Sequence, residues 1–171
     1  APTQWNRPQQ LDTDPNHAAA YGLAHLTAWR MLVTKGQLKR GDSVLVTGIG
    51  GGVALATLGI AKHMDCGVIV TSRHQWKLDR ALALGADHAV LDSGEDFSRA
   101  VRAATDKRGV DVCIDSIGGP VHLPCIKSLA RGGRLALCGC TAGANPTTDL
   151  ARLFWNQQSI LGSTMGDMQE F

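Results

Sequence analysis

Four glycines crowd into five positions, Gly48-Ile49-Gly50-Gly51-Gly52, directly after the apolar run Val44-Leu45-Val46. Residues of this kind at this spacing suit anion binding by the main chain. A Cβ at such a turn would hold a bulky anion away, whereas glycine lets backbone N–H groups approach it. The next ten residues, Val53-Ala54-Leu55-Ala56-Thr57-Leu58-Gly59-Ile60-Ala61-Lys62, carry the apolar face of a helix. Strand, glycine turn and helix together form the context in which a dinucleotide's pyrophosphate rests on a first helical turn. Two registers fit. Gly48-x-Gly50 leaves the β-branched Val53 in the third small-residue slot. Ile49-x-Gly51-x-x-Ala54 puts alanine there, where helix must pack on strand, and is the preferred register. The competing reading is a glycine-rich turn that binds nothing.

A second group lies about 20 residues further on, where an NAD site usually carries Asp or Glu to bond the ribose hydroxyls. Here the strand ends Thr71-Ser72-Arg73, and no acidic residue lies between Asp65 and Asp79. Arg73 can grip a 2′-phosphate through a planar, two-pronged contact. Ser72 can add a hydroxyl, and Lys77, a turn into the next helix, a second positive charge. These residues predict NADP(H) in preference to NAD(H). Asp92, after the third strand, would weaken that preference if it points into the site. The plain alternative for Arg73 is a solvated surface arginine.

The elements that must position these groups read in order. Residues 1–17 are expected as an extended lead-in, although Asp14-Pro15 is a good helix start, an acidic cap followed by proline. Ala18 to about Thr34 is predicted helical. Strands are expected at Ser43–Val46, Val68–Thr71, His88–Asp92, Val110–Asp115, Arg134–Cys138 and Ser159–Ser163. Helices are expected at Val53–Asp65, Trp76–Leu84, Phe97–Thr105, Val121–Leu129 and near Leu150–Phe154. Six strands alternating with helical segments predict an α/β fold, a doubly wound six-stranded parallel sheet of the Rossmann type. Its ligand belongs beyond the carboxyl ends of the strands.

Composition narrows the classes. A length of 171 residues suits one domain with a full core. A net charge of only +2, with no run of like charges, argues against nucleic-acid and membrane-surface partners. No apolar run approaches the roughly 20 residues of a membrane span. The odd number of cysteines, with Cys113, Cys138 and Cys140 in or beside strand-like runs, predicts free thiols and a reducing cytoplasm. Cys138-x-Cys140 reads as alternate residues of a strand end rather than a metal pair. A chain starting at Ala1 is expected to be an excised piece.

Several motifs in fixed order carry a family resemblance: Leu26-Thr27-Ala28-Trp29, Gly41-Asp42-Ser43-Val44-Leu45-Val46, the glycine turn, Lys77-Leu78 with Ala83-Leu84-Gly85-Ala86-Asp87, Gly132-Gly133-Arg134, and Ile160-Leu161-Gly162-Ser163. From about Ala18 to Met165 the chain resembles the cofactor domain of medium-chain dehydrogenases/reductases, in the zinc-type alcohol dehydrogenase-like and quinone oxidoreductase branches. The resemblance implies hydride transfer between the nicotinamide and a carbonyl, alcohol, quinone or activated alkene. It implies that Gly50, Gly51, Gly52 and Val53 meet the pyrophosphate. Ser116, Ile117 and Gly118 would pass along the ribose and adenine, while Gly139, Cys140 and Thr27 would lie near the nicotinamide. It further implies a homodimer through the last strand, and a separate catalytic domain that this chain lacks. That domain would supply the small-molecule substrate's pocket, so the chain alone is expected to bind cofactor without turnover.

No zinc ligand set is expected in this chain. Leu23 stands roughly where zinc-dependent relatives carry a catalytic cysteine, and His25 reads as a core or cofactor-side histidine. No catalytic residue is expected either; Asp115 reads as a strand-end carboxylate that satisfies backbone donors. A short-chain dehydrogenase would need Tyr-x-x-x-Lys, but the only tyrosine is Tyr21 and position 25 is His. A methyltransferase would want an acid where Ser72-Arg73 stand. A non-catalytic nucleotide sensor or structural subunit stays open as the alternative.

Overall fold

The computed structural model describes residues 15–167 and 169–170, with side chains described from Tyr21 onward. Of the lead-in expected over residues 1–17, residues 1–14, with the Asp14 cap, lie outside the described residues; residues 15–17 are helical rather than extended, since α1 starts at Pro15. Element order is α1 (Pro15–Trp29), β1 (Ser43–Val46), α2 (Gly52–His63), β2 (Gly67–Ser72), α3 (Gln75–Ala83), β3 (His88–Leu91), α4 (Ser98–Ala103), β4 (Val110–Asp115), α5 (His122–Ser128), β5 (Leu129–Leu137), α6 (Leu150–Trp155) and β6 (Ser159–Gly162).

The six strands form one sheet in the order β3-β2-β1-β4-β5-β6, and every pairing is parallel. This is the doubly wound arrangement expected. Because β1 pairs with both β2 and β4, the chain leaves the sheet in opposite directions on either side of that seam, which opens a crevice there. The apolar runs fit this role. Val44 and Val46 of β1, with Val68 and Val70 of β2, pack toward α2 and α3. Leu45, Ile69 and Cys113 face the opposite layer, with Phe97, Val101, Cys125 and Ile126. A strand buried on both faces cannot alternate polar and apolar, hence the continuous valine and isoleucine runs.

Three boundaries differ from the sequence reading, each for a local reason. The first helix does not stay α to Thr34. Arg30–Lys35 forms a π-helical turn that ends where Gly36 N donates to Met31 O at 2.9 Å. A Cβ at Gly36 would lie 2.7 Å from both Leu32 O and Met31 O, so only glycine closes so wide a turn. The fifth strand starts at Leu129 rather than Arg134. Gly132 (φ +73°) and Gly133 bend the strand without ending it, and a Cβ at Gly133 would sit 3.0 Å from Val110 O. The register shift between Val110 and Val112 on β4 absorbs the same irregularity. Finally, α5 is preceded by a 3₁₀ turn over Gly119–Val121, which takes Gly119-Pro120 without a helical N–H at the proline.

Asp96 fastens α4 to α5. One carboxylate oxygen accepts from Ser98 N (3.0 Å) and the other from Lys127 Nζ (2.8 Å). Burial alone would raise the Asp96 carboxyl; the bonds from Lys127 and Ser98 outweigh it and hold the pKa at about 2. Since the native pKa lies below the roughly 3.9 of an unfolded aspartate, the stabilisation is complete above pH 4 and is lost as pH falls toward 2. Asp96→Asn is therefore expected to be less stable than the unmodified chain at pH 7, with the gap closing between pH 4 and 2. Urea denaturation at stepped pH reads this; a gap constant from pH 7 down to 2.5 contradicts it.

Candidate functional site

A cleft of about 670 Å³ lies beyond the carboxyl ends of β1, β2, β3 and β4, along the β1–β4 seam. Its lining begins with Gly48 and Ile49 after β1. Ser72, Arg73, His74 and Lys77 follow β2, Asp92 and Glu95 follow β3, and Ser116 and Ile117 follow β4. Ser72 is the last residue of β2 and each of the others lies within five residues past a strand end, so the sheet itself gathers them.

The glycine turn is built in layers. Ile49 is buried and donates its N–H to Thr71 O at 2.8 Å, while Gly48 N reaches Thr71 Oγ1. These bonds hold the turn against the end of β2. Gly48 (φ +61°) and Gly50 (φ +119°) take conformations that favour glycine. A Cβ at Gly48 would lie 2.7 Å from Ile117 Cδ1, and one at Gly52 would lie 3.3 Å from Ala24 Cβ. Gly51 differs. Its φ of −81° and ψ of 156° suit any residue, and a Cβ there would meet no atom within 4 Å. The fold does not ask for glycine at position 51, whereas an anion seated on the turn would. Gly51 caps α2, whose first backbone bond runs from Leu55 N to Gly51 O at 3.0 Å. The N–H groups of Gly52, Val53 and Ala54 therefore precede the helical ladder and carry the positive end of the helix dipole. Ala54 is buried against the strand layer, as the preferred register requires.

The Ser72-Arg73-Lys77 group does converge on the cleft. Ser72 is buried, and its Oγ accepts from His74 N at 3.1 Å, which leaves its own O–H to donate elsewhere. Arg73 is exposed at the rim. None of the ion pairs among the described residues uses Arg73 or Lys77. Asp92 also lines the cleft, but its Oδ1 accepts from Gly94 N at 3.0 Å, so part of its charge is spent on its own turn.

Ser116 and Ile117 line the cleft, and the loop they begin is fastened to the loop after β5. Ala142 N donates to Ile117 O at 2.7 Å, and Gly119 N to Gly143 O at 2.9 Å. Gly118 (φ +63°) and Gly139 allow this contact: a Cβ at Gly118 would sit 2.8 Å from Gly143 O, and one at Gly139 would sit 2.9 Å from Ser116 O. Gly118, Gly139 and Cys140 thus stand at the loop seam, and Cys140 is exposed. Thr27 is buried in α1, and its Oγ1 donates to Leu23 O at 2.8 Å. It lies outside the cleft lining. The apolar wall of Phe97, Val121 and Pro124, and the polar His74, Glu95 and Thr141, complete the cleft. Sequence reasoning missed these six, and Gly94, Pro120 and Ala142 with them; position soon after a strand end was the signal that could have found most of them.

Asp115 holds the centre. It is fully buried and accepts from Ile117 N (3.0 Å), Gly118 N (3.0 Å) and the Thr47 hydroxyl. Nearby, burial and the Asp115 charge raise the Cys138 thiol, which keeps it protonated at neutral pH. Burial lowers the pKa of His122 against the opposing pull of Asp115; its Nε2 meets Thr148 Oγ1 at 3.0 Å. His25 stacks on Tyr21 with ring centroids 3.8 Å apart. Among the described residues there is no group of three or more His, Cys, Asp or Glu side chains that could hold a metal ion. The five cysteines are free thiols.

An amide at position 115 would turn one NH₂ toward a donor. Asp115→Asn is expected to cost about 3 kcal/mol of stability, the scale of a lost charged hydrogen bond plus an unpaired buried donor. Chemical denaturation measures it; a loss under about 0.5 kcal/mol, the range of ordinary surface changes, would contradict this account.

Residues 52–171 match the family model described as zinc-binding dehydrogenase. A zinc-type alcohol dehydrogenase-like protein, YogA, of Leptosphaeria maculans is 36% identical over 91% of this chain and 45% of its own length. A crystal structure of an NAD-dependent alcohol dehydrogenase is 43% identical and superposes with a TM-score of 0.83, over 87% of this chain and 43% of that one. The 2-octenoyl-CoA carboxylase reductase CinF, solved in complex with NADP and 2-octenoyl-CoA, is 25% identical with a TM-score of 0.80, over 90% and 39%. The chain spans less than half the length of each. No described helix is long and apolar enough to cross a membrane. The fold, the seam cleft and the glycine turn agree with these likenesses: the chain belongs to the zinc-binding dehydrogenase family and has the nicotinamide-dinucleotide-binding fold of its oxidoreductases.

Proposed function

We propose that this chain binds NADP(H) in preference to NAD(H) and serves hydride transfer to or from a carbonyl, alcohol, quinone or activated alkene. The observation that carries the binding reading is Gly51, which caps α2 two residues past the cleft-lining Ile49 and which the fold itself does not require to be glycine; Gly50, Gly51, Gly52 and Val53 themselves stand outside the cleft lining. In this reading the N–H groups of Gly51, Gly52 and Val53 receive the pyrophosphate, with Gly50 letting the turn approach. Arg73 and Lys77, free of ion pairs among the described residues, receive the 2′-phosphate with the Ser72 hydroxyl. Ser116, Ile117 and Gly118 flank the ribose and adenine. Gly139, Cys140 and Thr27 serve the nicotinamide end. The nicotinamide supplies the hydride chemistry; these residues bind and orient it. Substrate contacts are assigned to sequence outside the 171 residues, in keeping with relatives more than twice as long. Free, partly buried thiols support a reducing, cytoplasmic setting.

The relatives point both ways on the cofactor: the alcohol dehydrogenase is NAD-dependent, and CinF was solved with NADP. The absence of an acid at the end of β2 favours NADP(H) here. A charged hydrogen bond contributes roughly 1.5–3 kcal/mol, so Arg73 alone should give about a tenfold to hundredfold preference. Calorimetric titration with NADPH and NADH, repeated on Arg73→Ala, tests it. The preference should shrink in the variant, chiefly through NADPH; equal affinities in the unmodified chain, or a variant that weakens both alike, overturn the assignment.

A second copy of the chain is the proposed partner. β6 is a sheet edge, which leaves backbone groups unpaired. Beside it α6 exposes Leu150, Phe154 and Trp155. Joining two such edges across a two-fold axis would cover both features. Sedimentation at micromolar concentration is expected to show a dimer that Phe154→Asp weakens. A monomer in the unmodified chain counts against it.

A further inference from the structure

Lys77 reaches the glycine turn by an unusual route. Its stem crosses directly over Gly50: an alanine Cβ at that position would lie 3.0 Å from Lys77 Cδ, 3.4 Å from Cε and 3.5 Å from Nζ. At the same time Nζ stands 5.4 Å from the ring centre of Trp76, within the range of a cation–π contact. Trp76 is 64% exposed, although it is a large apolar side chain on the first turn of α3. Burial therefore does not account for a tryptophan there. Together Ile49, Gly50, Leu55, Trp76, Lys77, Arg80 and Leu84 wall a small hollow of about 150 Å³ beside the main cleft, and Lys77 belongs to both. The acidic side chain nearest in sequence, Asp79, is engaged by Gln75, whose Nε2 donates to Asp79 Oδ1 at 2.8 Å. The lysine's charge is left for the indole and the turn.

We propose that Trp76 is a positioning residue for cofactor discrimination: its indole holds the Lys77 ammonium over Gly50, at the edge of the cleft where a 2′-phosphate would lie. This rests on the NADP(H) reading above. A free lysine distributes its charge over many rotamers, and ordering it opposes binding. A lysine already confined between an indole face and a glycine meets the phosphate with less ordering left to do. Gly50 has a part in this beyond its φ, because any side chain there would push the lysine stem aside. Trp76 itself touches no phosphate, so its influence runs through Lys77 alone.

The test is a double-mutant cycle read by calorimetry with NADPH and NADH. Trp76→Leu keeps apolar bulk but removes the π face. It is expected to weaken NADPH about two- to fivefold, the scale of an exposed cation–π contact, and to leave NADH unchanged. Trp76→Phe should recover most of the loss. In a Lys77→Met background the effect of Trp76→Leu should vanish, while thermal melting confirms that each variant is folded. An NADPH-preferring chain whose cofactor ratio Trp76→Leu does not move overturns this inference alone, as does a loss that persists in Lys77→Met. An unmodified chain indifferent between the two cofactors overturns the NADP(H) reading and this inference with it.

Discussion

The site depends on one buried carboxylate. At a switch point two neighbouring strands send their chains to opposite sides of the sheet, and the exposed ends must be tied together or the crevice collapses. Asp115 does this by accepting from the β1 end through Thr47 and from the β4 loop through the N–H groups of Ile117 and Gly118. A carboxylate can take several donors at once because both its oxygens only accept. The bonds that stabilise it also fix where Ser116 and Ile117 stand. Fold and site are therefore coupled at this residue: the cleft's floor is as rigid as the pairing of β1 with β4.

The glycines sort by what demands them. At Gly48 and Gly118 the demand is internal, a positive φ together with a neighbour that a Cβ would strike. At Gly36 and Gly139 no positive φ is involved, and the demand is close contact, chiefly with main-chain oxygens. Gly51 has neither. A glycine is costly in an ordered turn, since it gives up more backbone freedom on folding than any other residue. Gly22, Gly59, Gly67 and Gly162 share that freedom; what sets Gly51 apart is its place at the first turn of α2, where the proposed reading puts the pyrophosphate.

Much of this was legible in the sequence. Six apolar runs, the first five each followed by a helical pattern, are enough to specify a parallel sheet, and the strand ends then locate the cleft. Ser72, Arg73 and Lys77 could be grouped because they sit just past one strand on consecutive turns. The loop seam was not legible. The bonds joining Ile117 and Gly119 to Ala142 and Gly143 are backbone to backbone and more than 20 residues apart in sequence, and they leave no side-chain signature. The early start of β5 was hidden for a related reason. Gly132-Gly133 has the composition of a turn, and only the neighbouring β4, with its own irregular register, lets the pair continue as a bent strand. The π turn at Arg30–Lys35 was likewise concealed by ordinary helix formers.

In the proposed NADP(H) reading the two anion subsites differ in kind, and the difference has consequences. The pyrophosphate subsite is main chain: N–H groups fixed by α2, whose dipole and geometry exist before any ligand arrives. The 2′-phosphate subsite is side chain: an exposed arginine and a lysine steadied by an indole. Preformed backbone donors contribute affinity that is common to both cofactors. In the same reading the side-chain charges of Arg73 and Lys77 would contribute the difference between them, and added salt would weaken the exposed arginine's share first. A chain built this way would keep its hold on the shared part of a dinucleotide while its cofactor choice rested on a few side chains. Asp92 and Glu95, on the same cleft wall, oppose that choice, and Asp92 does so less than its charge suggests because its own turn already draws on one of its oxygens.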